Sequence, residues 1–189
     1  MKRLLIDMDN CITDPLILEY INEFKNTNYK LDEQTDFYLQ NLVTRNKEQF
    51  WKFLNEKNLY ENAELKDNCY ETLKELNEIY DIYIVTSYLW KDGMIDASGN
   101  NLANKYNYLN EKLPFIKPEK YIFTTNKNII EADIGIDDRL NNLTHLNKKI
   151  LFNAWHNKNI TDEELETIGA VRVYNWLDIL KILKEGIIW

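Results

Sequence analysis

Short apolar runs that stop at polar residues, with amphipathic helical patterns between them, constrain the fold of this chain more than any other feature. The runs lie within residues 4–6, 82–85, 121–123, 132–136 and 149–152, and the chain finishes with residues 170–173 and a helix. Continuous apolar runs of this length are typical of strands that are buried on both faces of a parallel sheet. Because strands alternate with helices, the sequence predicts a doubly wound α/β fold whose binding site lies at the carboxyl ends of the strands.

The predicted helices divide the chain into two parts. Apolar residues recur at the spacing of one helix face in five segments, at residues 16–24, around 50–54, 68–80, 101–112 and 176–184. The first two segments lie between the first strand and the next sheet element. We therefore predict an α/β core formed by residues 1–15 and 67–189, and a small helical cap, inserted after the first strand, formed by residues 16–66.

Charge and composition argue against several classes of protein. The 189 residues carry a formal net charge of −8, and polynucleotides are bound by basic surfaces, so we expect no polynucleotide partner. No apolar run approaches the ~20 residues that a transmembrane helix needs, so we expect no membrane partner. The chain begins directly with a strand-like run, so we expect no signal peptide. Two cysteines, Cys11 and Cys69, make no disulfide framework, and the expected location is the cytoplasm.

Chemically functional residues follow four of the strand-like runs. They are Asp7 and Asp9, Thr86 and Ser87, Lys127, and Asp137 and Asp138. Taken singly, each group has a structural explanation: the hydroxyl residues could cap a helix, the lysine could be a solvated loop residue, and the aspartates could form a surface turn. Their occurrence together, each behind an apolar run, favours a catalytic site at one edge of the sheet.

The same residues match, in order, the four motifs of the haloacid dehalogenase superfamily of phosphatases, which the chain resembles. Asp7 and Asp9 match the first motif, Thr86 the second, Lys127 the third and Asp137-Asp138 the fourth. The resemblance narrows to the 5′(3′)-deoxyribonucleotidases of that superfamily, on residues 7–14, 85–87, 124–139 and 150–157. It implies a Rossmann-like core of the haloacid dehalogenase type.

The resemblance also implies a role for each residue. Asp7 attacks phosphorus to form an aspartyl-phosphate, and Asp9 protonates the leaving sugar oxygen and later takes a proton from water. Thr86 and Ser87 hold the phosphoryl oxygens, and Lys127 supplies positive charge.

A metal ion is the expected cofactor, because a phosphomonoester dianion repels a carboxylate nucleophile. Mg²⁺ binds oxygen ligands through one or two carboxylates together with substrate phosphate. Asp7, the backbone carbonyl of Asp9 and one of Asp137 and Asp138 offer such ligands. By resemblance, Asp138 is the direct ligand and Asp137 acts behind it.

Two places depart from the pattern of the family, and two further residues concern the cap. Asn10 and Cys11 stand where the family usually has Gly followed by Val or Thr; Asn tolerates left-handed backbone and Cys behaves as a small apolar residue. Pro15 stands where family members can carry an aromatic. Phe37 and Tyr38 resemble aromatic cap residues of the nucleotidases and are predicted to contact the base; the alternative is that both belong to the core of the cap.

The sequence therefore predicts a Mg²⁺-dependent phosphomonoester hydrolase that acts on (deoxy)ribonucleoside monophosphates. Two alternatives stay open: a phosphatase of the same superfamily that acts on another small phosphomonoester, and a catalytically silent nucleotide-binding domain. The silent alternative is weaker because all the expected side chains are present. The expected partner is the small-molecule substrate, and a homodimer is one alternative for the oligomeric state.

Overall fold

A computed structural model describes residues 1–90 and 95–185 of the chain, and its six strands form one parallel sheet. The strands are β1 (Lys2–Ile6), β2 (Tyr80–Thr86), β3 (Tyr121–Phe123), β4 (Ile134–Asp137), β5 (Lys148–Phe152) and β6 (Ala170–Val173). They lie in the order β3-β2-β1-β4-β5-β6, and every neighbouring pair is parallel. The strand order reverses between β1 and β4, where α/β proteins bind their ligands. The predicted α/β fold is confirmed.

Six α-helices accompany the sheet within the described residues. They are α1 (Ile17–Lys25), α2 (Lys47–Asn55), α3 (Cys69–Leu76), α4 (Ser98–Lys112), α5 (Asp162–Thr167) and α6 (Trp176–Glu185). The helix predicted over 68–80 was too long, since α3 ends at Leu76 and Ile79 is largely exposed. The sequence analysis missed α5, although Thr161 and Glu164 form the capping box that marks its start. Residues 91–94 and 186–189, part of the predicted core, lie outside the described residues.

The alternating sides of β1 pack into different hydrophobic clusters. Leu4 and Ile6 belong to the main cluster, whereas Leu5 faces a smaller cluster on the other side of the sheet. Leu18 of α1 and Phe50 of α2 are also buried in the main cluster. The residues predicted to form the cap therefore share the hydrophobic core of the sheet rather than building a separate one.

The inserted segment leaves and rejoins the core at one point. Thr13 pairs with Leu65 in an isolated antiparallel bridge, and the Lys66 N–H donates to the Ile12 carbonyl at 2.8 Å. The Thr13 hydroxyl also donates to the Glu64 carbonyl at 2.8 Å. These contacts lie beside the predicted boundaries of the cap, which remain a prediction.

Close packing explains the glycine in β4. A Cβ at Gly135 would lie 2.2 Å from Leu146 Cδ1 and 2.9 Å from Leu143 Cδ2, both far inside van der Waals contact. The absence of a side chain lets this strand, which ends in Asp137, lie tightly against the loop that follows it.

None of the helices in the described ranges is long and apolar enough to cross a membrane.

Candidate active site

The two central strands of the sheet bring three charged side chains together. Asp7 follows β1 and Asp137 ends β4, and the pairing continues past β1 because the Asp7 N–H donates to the Ile136 carbonyl at 2.9 Å. Lys127 Nζ lies 2.7 Å from Asp7 Oδ1 and 2.7 Å from Asp137 Oδ2. Lys127 is buried, so it is not the solvated loop lysine of the structural alternative. Its ammonium group links two buried carboxylates.

Burial changes the protonation of this cluster. Burial and the neighbouring Asp137 raise the pKa of Asp7 to about 7, although Lys127 opposes the shift. Burial also raises the pKa of Asp138. For Lys127, burial alone would lower the pKa, but the Asp137 and Asp7 carboxylates outweigh it and raise the pKa. Because the Lys127 ammonium contacts only two of the three buried carboxyl groups, a further cation would stabilise their charged forms.

The same three aspartates are placed to hold a metal ion. One carboxylate oxygen each from Asp7, Asp137 and Asp138 lies within 4.8 Å of the other two. Carboxylate oxygens are the ligands that Mg²⁺ and other hard cations prefer. The donor set of this site therefore fits a divalent cation.

Hydrogen bonds distinguish Asp137 from the other two aspartates. Asp137 Oδ1 accepts from the Arg139 backbone N–H at 2.8 Å and from Asn142 Nδ2 at 2.9 Å, and Oδ2 accepts from Lys127. Both oxygens are thus engaged by protein donors. The choice between Asp137 and Asp138 as the direct metal ligand stays a prediction.

Asp138 is hydrogen-bonded through its side-chain Oδ2 and through its backbone carbonyl. Its Oδ2 accepts from Asn10 Nδ2 at 2.7 Å and contacts His156 Nε2 at 2.9 Å. A carboxylate only accepts hydrogen bonds, so Nε2 is the protonated ring nitrogen of His156 in this contact. Asn157 Nδ2 donates to the backbone carbonyl of Asp138 at 2.8 Å. Both of these side-chain contacts are made by Oδ2.

Asp9 carries two hydrogen bonds from residues that the sequence analysis did not select. Tyr60 Oη donates to Asp9 Oδ1 at 2.7 Å, and Lys105 Nζ lies 2.5 Å from Asp9 Oδ2. Lys105 also donates to Thr86 Oγ1 at 2.7 Å and is almost fully buried. The first and second motifs are therefore joined through a buried ammonium group.

The two hydroxyl residues after β2 have different environments. Thr86 is buried against Lys105, whereas Ser87 is exposed and lines the cleft. The structure thus brings both residues to the predicted edge of the sheet, and it places only Ser87 on the open surface.

A cavity of about 520 Å³ separates this edge from the inserted segment. Its lining includes Asp9, Ser87 and Lys127 from the core and Phe37, Tyr38 and Trp51 from the insertion. Asp7 and Asp137 contact this lining through Lys127, and Asp138 contacts it through Asn10. A volume of this size is in the usual range for small-molecule sites.

Phe37 and Tyr38 lie on the wall of the cavity rather than in the core of the insertion. Phe37 is half-buried and Tyr38 is 45% exposed. The guanidinium of Arg139 lies 4.2 Å from the centre of the Phe37 ring, and His156 packs edge-on at 4.9 Å. The structural alternative, that both residues form the core of the cap, does not fit this exposure.

Sequence reasoning missed Lys105, Tyr60 and His156 as parts of the site. For Lys105 a signal existed: it stands three and four residues before the buried Tyr108 and Leu109, so it falls on the buried face of α4. The Tyr60 contact joins residues 51 apart in sequence, and no local pattern indicates it.

The sheet order and the charged residues at the carboxyl ends of β1 and β4 match the haloacid dehalogenase fold. The fold agrees with solved structures: a haloacid dehalogenase-like hydrolase from Streptococcus pneumoniae matches with a TM-score of 0.55 and 14% identity, over 97% of this chain and 98% of that one. By sequence, the chain belongs to the family described as 5′ nucleotidase, deoxy (Pyrimidine), cytosolic type C protein, whose model matches residues 1–185.

Curated relatives cover nearly the whole chain. A 5′(3′)-deoxyribonucleotidase from Bacillus subtilis is 30% identical over 183 residues, which are 95% of this chain and 97% of that protein. A relative from Staphylococcus epidermidis is 32% identical over 181 residues, 94% of this chain and 93% of its own length. Membership of this family makes the chain an enzyme, a phosphatase of the nucleotidase type.

Proposed function

We propose that the chain is a Mg²⁺-dependent phosphatase that hydrolyses (deoxy)ribonucleoside monophosphates through an aspartyl-phosphate on Asp7. The observation that carries the proposal is the buried contact of Lys127 with Asp7 and Asp137, beside Asp138. In the proposed mechanism this cluster would supply a nucleophilic carboxylate, a fixed cation and carboxylates for a metal ion. Such positioning and charge compensation is most of what phosphoryl transfer requires.

The metal would be held by Asp7, Asp138 and the backbone carbonyl of Asp9, with Asp137 orienting Lys127. When bound, Mg²⁺ neutralises phosphate charge and favours the ionised form of the surrounding carboxylates. Stabilising the ionised form matters for Asp7, because burial raises the pKa of Asp7 to about 7 and only the carboxylate is nucleophilic.

In the first step a carboxylate oxygen of Asp7 forms a bond to phosphorus while the bond from phosphorus to the sugar oxygen breaks. Lys127 stabilises the phosphoryl oxygens, and Ser87 and Thr86 donate to them. The sugar oxygen leaves with a proton supplied by Asp9.

The side chain of Asp9 is positioned by two partners. In the described geometry the ammonium of Lys105 and the hydroxyl of Tyr60 both donate to Asp9. Lys105 also contacts Thr86, so a phosphate dianion held by Thr86 would lie close to the same ammonium group.

In the second step water attacks the phosphorus of the aspartyl-phosphate and loses a proton to Asp9. The bond from phosphorus to the Asp7 oxygen breaks, which releases inorganic phosphate and restores both carboxyl groups. Asp9 thus returns to the protonated form that the next turnover needs.

The aromatic wall of the cavity supports a nucleoside as the leaving group. Phe37 and Tyr38 line the same cavity as Lys127, and flat rings stack well on other rings. The family description and the relatives named as deoxyribonucleotidases support the same class of substrate. We place the reaction in the cytoplasm, which agrees with the free thiols of Cys11 and Cys69.

The test is a phosphate-release screen at neutral pH with 5′ and 3′ monophosphates of ribo- and deoxyribonucleosides, beside sugar phosphates and an aryl phosphate. We expect the highest kcat/KM on nucleoside monophosphates and reversible loss of activity in EDTA. Beryllium fluoride is expected to attach to the Asp7 side chain in a crystal. A sugar phosphate as the best substrate would favour the other phosphatase alternative, and full activity in EDTA would exclude the metal.

A further inference from the structure

We infer that Asn10 is a further residue of the cation site: its amide nitrogen orients Asp138, and its amide oxygen accepts a hydrogen bond from a water bound to the cation. This inference rests on the metal dependence proposed above. It concerns a position at which the resemblance implies a Gly and no role for a side chain.

The backbone of Asn10 is fixed in an unusual conformation. Its φ is 61°, in the left-handed region, where Asn and Gly are better tolerated than other residues. The Asn10 N–H donates to the Thr13 carbonyl at 2.7 Å, and the Ile12 N–H donates to the Met8 carbonyl at 2.8 Å. These hydrogen bonds close a tight turn directly after β1. The turn holds the Asn10 side chain in place against the strand ends.

The two ends of the Asn10 amide have different environments. Nδ2 donates to Asp138 Oδ2 at 2.7 Å, whereas Oδ1 is fully buried and has no hydrogen-bond partner. Because a carboxylate only accepts, the orientation of the amide follows from Asp138. Leaving a buried acceptor unpaired costs on the order of 1–3 kcal/mol. Within the described residues, the side chain of Asn10 therefore carries an acceptor that the protein itself does not use.

Hydration of the cation supplies the missing partner. Mg²⁺ usually keeps several of its waters, and a bound water offers its hydrogens to nearby acceptors. Asn10 lies next in sequence to Asp9, contacts Asp138 and lines the cleft. Its oxygen would accept such a hydrogen without adding a fourth carboxylate to Asp7, Asp137 and Asp138. Neither Gly nor Asp combines the donor toward Asp138 with a neutral acceptor.

Asn10→Gly tests the inference, since glycine tolerates the positive φ. Asn68→Gly is the matched control, because Asn68 also has φ 61° and its exposed side chain makes no capping hydrogen bond. We measure the Kd for Mg²⁺ by calorimetry on the whole protein without substrate, and the rise in Tm on adding Mg²⁺. Loss of residues that support metal ligands typically weakens affinity roughly 10–100-fold. We expect a loss of that size for Asn10→Gly and none for Asn68→Gly.

The outcomes separate the inference from the proposed function. A wild-type protein that binds no Mg²⁺ overturns the metal-dependent function and the role of Asn10 with it. Wild-type binding with an Asn10→Gly Kd within twofold of it overturns only the role of Asn10. If Asn10→Gly does not fold, a crystal structure of the wild type with Mg²⁺ decides: Asn10 Oδ1 hydrogen-bonded to a Mg²⁺-bound water supports the inference, and Oδ1 without such a contact overturns it.

Discussion

The two walls of the cleft differ in charge and in burial. The strand-end cluster, formed by Asp7, Lys127, Asp137 and Asp138, is ionic, and each member is at least nine-tenths buried. The cap wall, formed by Phe37, Tyr38 and Trp51, is aromatic and half-buried to exposed. Asp7 and Asp137 of the cluster are positioned by hydrogen bonds between β1 and β4, whereas the cap wall belongs to the segment between β1 and β2.

This difference indicates a division of work. Ionic groups that must meet phosphorus in one geometry gain from the rigid strand ends, because positioning accounts for much of phosphoryl-transfer catalysis. Aromatic surface that recognises a base tolerates a more exposed wall, since stacking is less dependent on direction. We therefore expect substitutions in the strand-end cluster to remove turnover, and substitutions in the cap wall to change substrate selectivity.

The largest effect is expected for Asp7→Asn. The amide keeps the size of the side chain and removes the nucleophile, so kcat should fall on the order of 10⁴-fold or more. Asp14→Asn is the control, because Asp14 pairs with Lys66 on the surface. Phosphate release on any good nucleotide substrate provides the measurement. Near-normal turnover of Asp7→Asn would contradict the covalent mechanism.

Asp9→Asn is expected to affect two phosphate esters differently, according to the leaving group of each. A general acid typically contributes roughly 10²–10⁴-fold, so kcat/KM on a nucleoside monophosphate should fall within that range. The loss should be smaller on p-nitrophenyl phosphate, because its phenolate departs with little need of a proton. The comparison of both esters in wild type and Asp9→Asn checks this. Equal losses would assign Asp9 a structural or metal-directed role.

Phe37→Ala tests the cap wall. Loss of one stacking ring is expected to cost about 1–2 kcal/mol, so KM for a nucleotide should rise roughly 5–30-fold while a small aryl phosphate is spared. Phe53→Ala is the matched control, since Phe53 packs on Phe24 at 5.5 Å between ring centres within the insertion. That variant should lower Tm without changing selectivity. An equal rise in KM for both substrates would return Phe37 to a structural role.

The smallest expected effect is a change in the pH dependence of stability without metal. The pKa of Asp7 is about 7 in the fold, against an ordinary value of 3.8. Between about pH 4 and pH 7 the folded state therefore keeps a proton that the unfolded chain has lost, so stability falls as pH rises through this window. Asp7→Asn should show a shallower fall in EDTA, and at pH 8 its Tm should be a few degrees higher than that of wild type. Parallel Tm profiles from pH 4 to pH 8 would contradict the raised pKa.

The sequence by itself determined the sheet and the place of the site. Apolar runs predicted strands β1 to β5, because strands buried on both faces are rich in apolar side chains. Asp7, Lys127, Asp137 and Asp138 could be assigned to one edge, since parallel strands end on the same side of a sheet. The start of β4 was predicted two residues early, at Ala132, because a run of apolar residues does not mark where hydrogen bonding begins.

Only the tertiary structure decided which further side chains meet these groups. Tyr60 and Lys105 contact Asp9 from positions 51 and 96 residues away in sequence. His156, which follows β5, contacts Asp138. Local periodicity can place a residue on the buried face of a helix, but it does not say which strand end that face meets. Those contacts depend on how the helices and the insertion pack on the sheet, and packing is a property of the whole chain.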